Sequence, residues 1–237
     1  MRSFWSEPYL WVHAAGAAVL PILLELCLLG FAVGDPILPA GVEVGLVAAI
    51  GIAPLLWMQL FRPFYIFSLL VFALKPEKLT VDQRRILSLF KMQESRVLAA
   101  VTPVFLVGVL WQLYRVAPVA ASVTPFPATW RVAGLLLAAI AFLGCNLFLQ
   151  VPVSVARILL LSEAEFGVTE PYPIEKIQRD FTLPGIKVNQ ILPPIVPETQ
   201  SQGQAIAAGR ATTAMPLIET PPEPTPSDAS TTEVNDI

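Results

Sequence analysis

Four stretches of this chain are long enough and apolar enough to cross a lipid bilayer as helices. A spanning helix needs about 20 mostly apolar residues, because every backbone polar group has to be hydrogen-bonded inside the segment. The four stretches are residues 10–33, 44–61, 97–117 and 132–149. They predict an all-α integral membrane protein whose four transmembrane helices form two helical hairpins.

The composition agrees with a lipid environment. Of the 237 residues, 55% are hydrophobic and only 14% are charged, whereas soluble domains carry about 25% charged residues. Cys27 and Cys145 both lie inside apolar stretches, where a thiol behaves as a small hydrophobic group. A disulfide between them is the alternative.

The basic residues are concentrated in one short stretch between the second and third spans, KPEKLTVDQRRILSLFKMQESR at residues 75–96. Short loops rich in Lys and Arg stay on the cytoplasmic side of a membrane. The loops at residues 34–41 and 115–131 hold few bases, which favours the opposite side. We therefore expect this stretch and both chain termini to be cytoplasmic.

The same stretch contains the pattern of an amphipathic helix. Thr80 and Gln83 have the spacing of a capping box, in which each side chain accepts a hydrogen bond from a free backbone N–H of the first turn. Apolar residues then recur at helical spacing, at Ile86, Leu89 and Phe90. Since nothing breaks the pattern before Pro103, the helix is expected to continue into the third span as one rod.

A second charged amphipathic stretch, PIEKIQRDF, follows the fourth span at residues 173–181. The two stretches together provide a candidate docking surface for anionic lipid or for an acidic partner. Its residues are Arg84, Arg85, Lys91, Lys176 and Arg179. The alternative is that these bases are solvated and act only as a topology signal.

Two short apolar runs, residues 64–74 and 153–161, each follow a proline at the end of a span. They are too short to cross a membrane, so they are expected to be interfacial or re-entrant. Because each run leads into a charged amphipathic stretch, the chain has the pattern of a parallel duplication.

The rest of the chain follows from these boundaries. Residues 163–197 look ordered but are too few to bury a core, so they are expected to lie on the membrane body or on another protein. Residues 198–237 are acidic and biased towards Gln, Ser, Thr, Ala and Pro, which is typical of a disordered tail. The predicted division is therefore 1–75 and 97–162 as hairpins with their surface segments, 76–96 as the basic linker, 163–197 as a membrane-docking segment and 198–237 as the tail.

Few residues in the chain could carry out chemistry. His13 is the single histidine, and the sequence has no phosphate-binding loop, nucleophile elbow or dinucleotide fingerprint. We expect no enzymatic activity, cofactor, metal or nucleic-acid partner. His13 either ligates a pigment or haem in the first span or lies at the headgroup level near Trp11.

Glu25 is the candidate intramembrane polar site. It lies within the first span, where a charge costs at least about 2.5 kcal/mol. One interpretation is a proton or cation site. The other is a neutral carboxyl group that is hydrogen-bonded to a neighbouring helix. The candidate partners are Gln59, Gln112, Asn146 and Gln150.

Several segments resemble a known family. The segments are MRSFWSEPYLWVH, LELCLLGFAVGDPILP, RPFYIFSLLVFALKPEKLTVDQRRIL, FLQVPVSVARILLL and EPYPIEKIQRDFTLPGIKVNQILPPI, followed by the biased tail. They are similar to a cyanobacterial group described as membrane proteins with a low-complexity tail. The resemblance covers residues 1–197. It implies a thylakoid or plasma membrane and assigns no activity and no functional residues.

The sequence as a whole favours a non-enzymatic scaffold or an assembly and docking factor of a membrane complex. Its expected partners are the lipid bilayer, other membrane proteins and, at the basic linker, anionic lipid. The alternative is a small transporter or channel component that uses Glu25.

Overall fold

The computed structural model describes residues 3–69 and 71–192. Its helices are α1 (Pro8–Ala15), α2 (Leu20–Phe31), α3 (Ala40–Phe61), α4 (Val81–Lys91), α5 (Gln93–Val116), α6 (Arg131–Leu160), α7 (Glu163–Val168) and α8 (Ile174–Asp180). Three short strands are β1 (Ser68–Leu69), β2 (Phe72–Leu74) and β3 (Ile186–Val188). The predicted tail, residues 198–237, lies outside the described residues.

Four helical segments are long and apolar enough to cross a membrane, which confirms the predicted number of spans. They are Pro8–Phe31, Ala40–Phe61, Val97–Ala120 and Ala128–Leu160. The first contains α1 and α2, joined by a 3-10 turn at Gly16–Val19. Pro21 falls in the first turn of α2, where its missing N–H leaves no hydrogen bond unmade.

Helix α6 is central to the bundle, because α2, α3 and α5 all pack against it. Its inward face carries small side chains, including the fully buried Ala138 and Cys145. Small residues allow backbones to approach closely. The closest approach joins α2 and α6, where a Cβ atom on Gly30 would lie 2.6 Å from the carbonyl oxygen of Gly134. α2 and α3, predicted as a hairpin, each pack more extensively against α6 than against one another.

The outer surface of the bundle is apolar, as lipid requires. Ile22 and Ile140, for example, are 61% and 66% exposed on α2 and α6. The tryptophans are exposed near the ends of the spans, at Trp5, Trp11, Trp57, Trp111 and Trp130. Indole rings favour this position because one edge is polar and the body is apolar.

Helix α4 confirms the predicted capping box, with Gln83 N–H donating to Thr80 Oγ1 and Thr80 N–H donating to Gln83 Oε1. The predicted continuous rod is wrong. Met92 has extended backbone, with ψ of 154°, and separates α4 from α5. The break lets α4 bury its own apolar face, which includes Ile86 and Phe90, in a different direction from the span.

Residues 64–74, for which we expect an interfacial or re-entrant position, contain two short strands. β1 pairs antiparallel with β2, and β2 pairs parallel with β3. Tyr65, Ile66 and Phe67 are fully buried beside the sheet. This aromatic and β-branched run favours strands, and residues 186–188 provide the partner that such a short run needs.

Residues 153–161 differ from the expectation in another way, because α6 continues through Pro152 to Leu160. Its 30 residues extend about 45 Å, which exceeds the roughly 30 Å hydrocarbon core. Residues 153–160 are therefore the last turns of a helix longer than the hydrocarbon core and not a separate segment. Since residues 68–69 and 72–74 form strands and residues 153–160 form helix, the predicted duplication does not extend to these two runs.

The segment after the fourth span lies on the body of the same chain. Ser88 Oγ donates to the carbonyl oxygen of Glu170 at 2.7 Å, and Tyr172 N–H donates to that of Arg84 at 3.1 Å. Thr182 N–H donates to the carbonyl oxygen of Pro63 at 3.0 Å. We call the assembly of α4, α7, α8 and the three strands the cap.

Candidate functional site

A buried polar cluster closes the end of the bundle opposite the cap, which we call the distal end. Glu43 lies in the first turn of α3 and Arg131 begins α6, and the two residues are 0% and 4% exposed. Arg131 Nη2 and Nε both donate to the Glu43 carboxylate. Tyr114 on α5 donates its hydroxyl to Glu43 Oε2 at 3.1 Å. The cluster thus joins three spans.

The same two side chains also bind the loop between α2 and α3. Arg131 Nη1 donates to the carbonyl oxygen of Phe31 at 2.6 Å and to that of Val33 at 3.1 Å. The last carbonyls of a helix have no partner within it and carry partial negative charge, so a buried guanidinium stabilises them. Glu43 Oε1 accepts from the backbone N–H groups of Ile37 at 3.0 Å and Leu38 at 3.3 Å. The cluster therefore fixes the end of the first span as well.

A cavity of about 400 Å³ lies beside this cluster. Its lining includes the aromatic rings of Phe31, Tyr114 and Phe126 together with Asp35, Thr124 and Arg131. Arg131 and Glu43 are already hydrogen-bonded to each other and to backbone, so they have little capacity left to bind and activate a substrate. The arrangement is best explained as a structural lock.

The sequence did not single out this cluster. Arg131 is the last residue of the predicted loop at residues 115–131, and Glu43 lies just outside the predicted second span. The sequence feature that could have predicted the cluster is the position of the two residues in their spans. One acid and one base each stand at the first turn of a span, on the same side of the predicted topology, where pairing lets both be buried.

Glu25, the predicted intramembrane site, is exposed on the outer face of α2. Asn146 and Gln150, two of its candidate partners, are buried on α6 instead. Asn146 Nδ2 donates to the carbonyl oxygen of Phe142 on its own helix at 3.0 Å. Within residues 3–69 and 71–192, the Glu25 side chain makes no hydrogen bond or ion pair. The structure therefore places this carboxyl on the outer surface of the bundle.

The five residues of the predicted docking surface have different environments. Lys176 and Arg179 project from α8, and the Arg179 side chain is 75% exposed. Arg84 and Arg85 on α4 are half-buried, and Arg85 pairs with Asp82 at 3.0 Å. Lys91 forms an ion pair with Asp180 inside the cap. The more accessible bases are therefore those on α8.

Lys91, Tyr172 and Asp180 form a cluster that ties α8 to the end of α4. Tyr172 donates its hydroxyl to Asp180, and Lys91 Nζ lies 3.3 Å from the same carboxylate. The hydrogen bond from Tyr172, followed by contacts with Arg179 and Lys91, holds the pKa of Asp180 well below its usual range. Burial and the neighbouring carboxylate raise the pKa of Tyr172 to about 12. The cluster brings Lys91, a residue of the predicted docking surface, into contact with Asp180 at the C-terminal end of α8.

Replacing Asp180 by Asn is expected to destabilise the protein at pH 7 by about 1 kcal/mol, because the ion pairs are lost. The folded-state pKa is depressed, so the carboxylate stabilises the fold above the unfolded pKa of about 3.9. That contribution is lost as the pH falls towards the lower folded value. The difference in unfolding temperature between wild type and Asp180→Asn, measured in detergent, should therefore shrink below about pH 4.

Asp82→Asn is the control for this experiment. Asp82 also pairs with an arginine, but its side chain is 49% exposed, against 17% for Asp180. A smaller effect is expected there, since exposed pairs contribute little. An Asp180→Asn variant as stable as wild type at pH 7 would contradict the anchoring role.

The remaining candidates from the sequence, the two cysteines and His13, are packed against other parts of the fold. Cys27 and Cys145 are free, buried thiols. The ring of His13 packs 5.7 Å from that of Phe64, and its Nδ1 lies 2.8 Å from the carbonyl oxygen of Tyr9. Among the described residues, no group of three His, Cys, Asp or Glu side chains could hold a metal ion.

Comparison with known proteins gives one result. A family model described as low-complexity tail membrane protein-like matches residues 6–193. No curated protein and no solved structure matches the chain. The match covers the four spans and the described part of the cap.

Proposed function

Because the chain belongs to the low-complexity tail membrane protein-like family, we propose that it is a non-enzymatic assembly or docking subunit of a membrane complex. The observation that carries this proposal is the outward position of Glu25 on α2. The Glu25 carboxyl group then acts on the outer face of the first span and not in an interior channel.

The energetic argument rests on what surrounds Glu25. Placing an acidic side chain near the centre of a lipid-facing helix costs about 2.5–3.5 kcal/mol on insertion scales. The described part of the chain offers it no partner. A neighbouring transmembrane helix can supply a hydrogen-bonding group, because polar side chains join helices within membranes. Contact with another membrane protein therefore removes a cost that the isolated chain bears.

The distribution of bases supports a cytoplasmic cap. Arg84, Arg85, Lys176 and Arg179 all belong to the cap, whereas Arg131 at the distal end is paired with Glu43. Positively charged segments remain on the cytoplasmic side, so we place the cap and both termini there. The exposed bases of α8 are then available to anionic lipid or to an acidic partner. On the sequence resemblance alone, the membrane is a cyanobacterial thylakoid or plasma membrane.

The test is purification of the full chain from its native membrane in mild detergent. Wild type is expected to migrate on a native gel as a complex larger than one chain. Glu25→Leu should recover roughly fivefold less complex, as expected from the loss of one interhelical hydrogen bond. The control is Ile140→Ala, which alters an exposed side chain on α6 and should leave the complex intact.

Two results would contradict assembly. One is wild-type protein that is recovered alone at monomer size, and the other is a Glu25→Leu variant whose complex is unchanged. Protein identification from the native-gel band names the partner.

A transport component is the second candidate. It is favoured by the interior amide groups of α6, because Gln150 Nε2 and Oε1 and Asn146 Oδ1 are buried without a hydrogen-bond partner in the described chain. Proton or cation flux into proteoliposomes distinguishes the candidates. Assembly predicts equal leak for wild type, Glu25→Gln and empty vesicles. Flux that requires Glu25 would favour transport.

A further inference from the structure

The outward face of the first span has a consistent pattern. Ile22 and Glu25 on α2 are exposed, and their spacing of three residues places them on one side of the helix, while Ala18 is exposed in the 3-10 turn that precedes it. Gly30 and Phe31 are buried on the other side, where α2 packs against α6. One face of α2 is therefore used inside the bundle, and the opposite face presents an aliphatic residue and a carboxyl group, with a small exposed residue in the turn before it.

The depth of Glu25 follows from the distal cluster. Glu25 precedes Phe31 by six residues, which corresponds to about 9 Å along the helix. The carbonyl oxygen of Phe31 accepts from Arg131, whose neighbour Trp130 is exposed at the end of its span. Since exposed tryptophans favour the headgroup layer, Glu25 lies below that layer, within the hydrocarbon. A glutamate side chain is too short to reach water from there.

We propose that this face of α2 binds the same face of a second copy of the chain, so that the two Glu25 carboxyl groups meet. The proposal rests on the proposed function and names its partner. In a pair related by a two-fold axis along the membrane normal, equivalent residues lie at the same depth. Each copy therefore brings a carboxyl group to the level where the other copy needs a hydrogen bond.

Self-pairing also fits the chemistry of the face. A carboxyl group that keeps its proton both donates and accepts hydrogen bonds, so two such groups are complementary without an added base. Ala18 is small enough to allow the backbones of two helices to approach. A different partner would have to supply a matching group at this depth, whereas a second copy has one by symmetry.

Ile22→Cys tests this contact directly. Ile22 lies one turn from Glu25 on the proposed interface, so mild oxidation in native membranes should join two chains through a disulfide. Ile140→Cys is the control. Ile22 and Ile140 are 61% and 66% exposed, and each lies nine residues from the distal end of its helix, at Phe31 and Arg131. The native cysteines are buried, so wild type should not be cross-linked.

The expected result is a covalent dimer from Ile22→Cys and at most trace dimer from Ile140→Cys. In the Ile22→Cys background, Glu25→Gln should retain the dimer, because a carboxamide still donates and accepts. Glu25→Leu should reduce it about fivefold. Equal membrane yields of both double variants, measured by immunoblot, exclude a folding defect as the cause.

The outcomes distinguish contact between two copies of the chain from the proposed role in assembly or docking. If Ile22→Cys gives no dimer while another protein co-purifies with wild type, the second-copy contact is overturned and assembly stands. If neither a dimer nor a complex is found, both are overturned. Equal dimer from Ile22→Cys and Ile140→Cys indicates random collision and also overturns the proposed contact.

Discussion

Glu43→Ala is expected to destabilise the protein by about 3–5 kcal/mol, the cost of leaving one member of a buried ion pair without its partner. The variant leaves the buried guanidinium of Arg131 uncompensated. It also removes the acceptor of the Ile37 and Leu38 N–H groups and of the Tyr114 hydroxyl. Denaturant or thermal unfolding of the full chain in detergent measures the change.

Asp35→Ala provides the matched control for this prediction. Asp35 is an exposed acid at the same end of the bundle, and its removal should change stability by no more than about 0.5 kcal/mol. In the double variant Glu43→Ala/Arg131→Leu, the two losses should not add, because the unpaired buried charge is removed as well. A Glu43→Ala variant within 1 kcal/mol of wild type would show that the cluster does not lock the distal end.

Gly134→Val is the second large effect, because it acts on the closest contact between two spans. A Cβ atom at this position would lie 2.5 Å from the carbonyl oxygen of Gly30 and 2.7 Å from the Cβ atom of Val33. These are backbone and near-backbone atoms that cannot rotate away. Helices α2 and α6 must separate, which we expect to cost about 3 kcal/mol, at the upper end of overpacking effects.

Gly108→Val makes the same change on α5, where no described atom outside the adjoining turns of its own helix lies within 4 Å of a Cβ atom. It should be neutral or slightly stabilising, since glycine is unfavourable in a helix interior. Comparing the unfolding temperatures of the two variants separates the packing effect from any general effect of valine in a membrane helix. Similar melting of both variants would refute the proposed close contact.

The spans and the helix start at Thr80 could be predicted because their signals are local. Hydrophobic length decides whether a segment can cross lipid, and the side chains of Thr80 and Gln83 satisfy N–H groups within one turn. Neither depends on where the chain goes next. The break at Met92 could not be predicted in this way. It is set by the surface against which α4 packs, and no local breaker marks it.

The sheet and the distal cluster could not be predicted because their partners are far apart in the chain. β2 pairs with β3 more than one hundred residues later, and Glu43 meets Arg131 across 88 positions. The outward position of Glu25 belongs to the same class. Its depth follows from the sequence, whereas the side of α2 that faces α6 depends on the small residues at Gly30 and Gly134.

The parallel pairing of β2 with β3 has a consequence for biosynthesis. Residues 72–74 leave the ribosome long before residues 186–188, and two further spans have to be inserted in between. During that interval one edge of β2 lacks its partner, and the ring of Tyr65 lacks its neighbour Phe181, which lies 6.5 Å away in the finished protein. The cap can therefore mature only after membrane insertion of all four spans, because residues 186–188 complete the sheet that residues 68–69 and 72–74 begin.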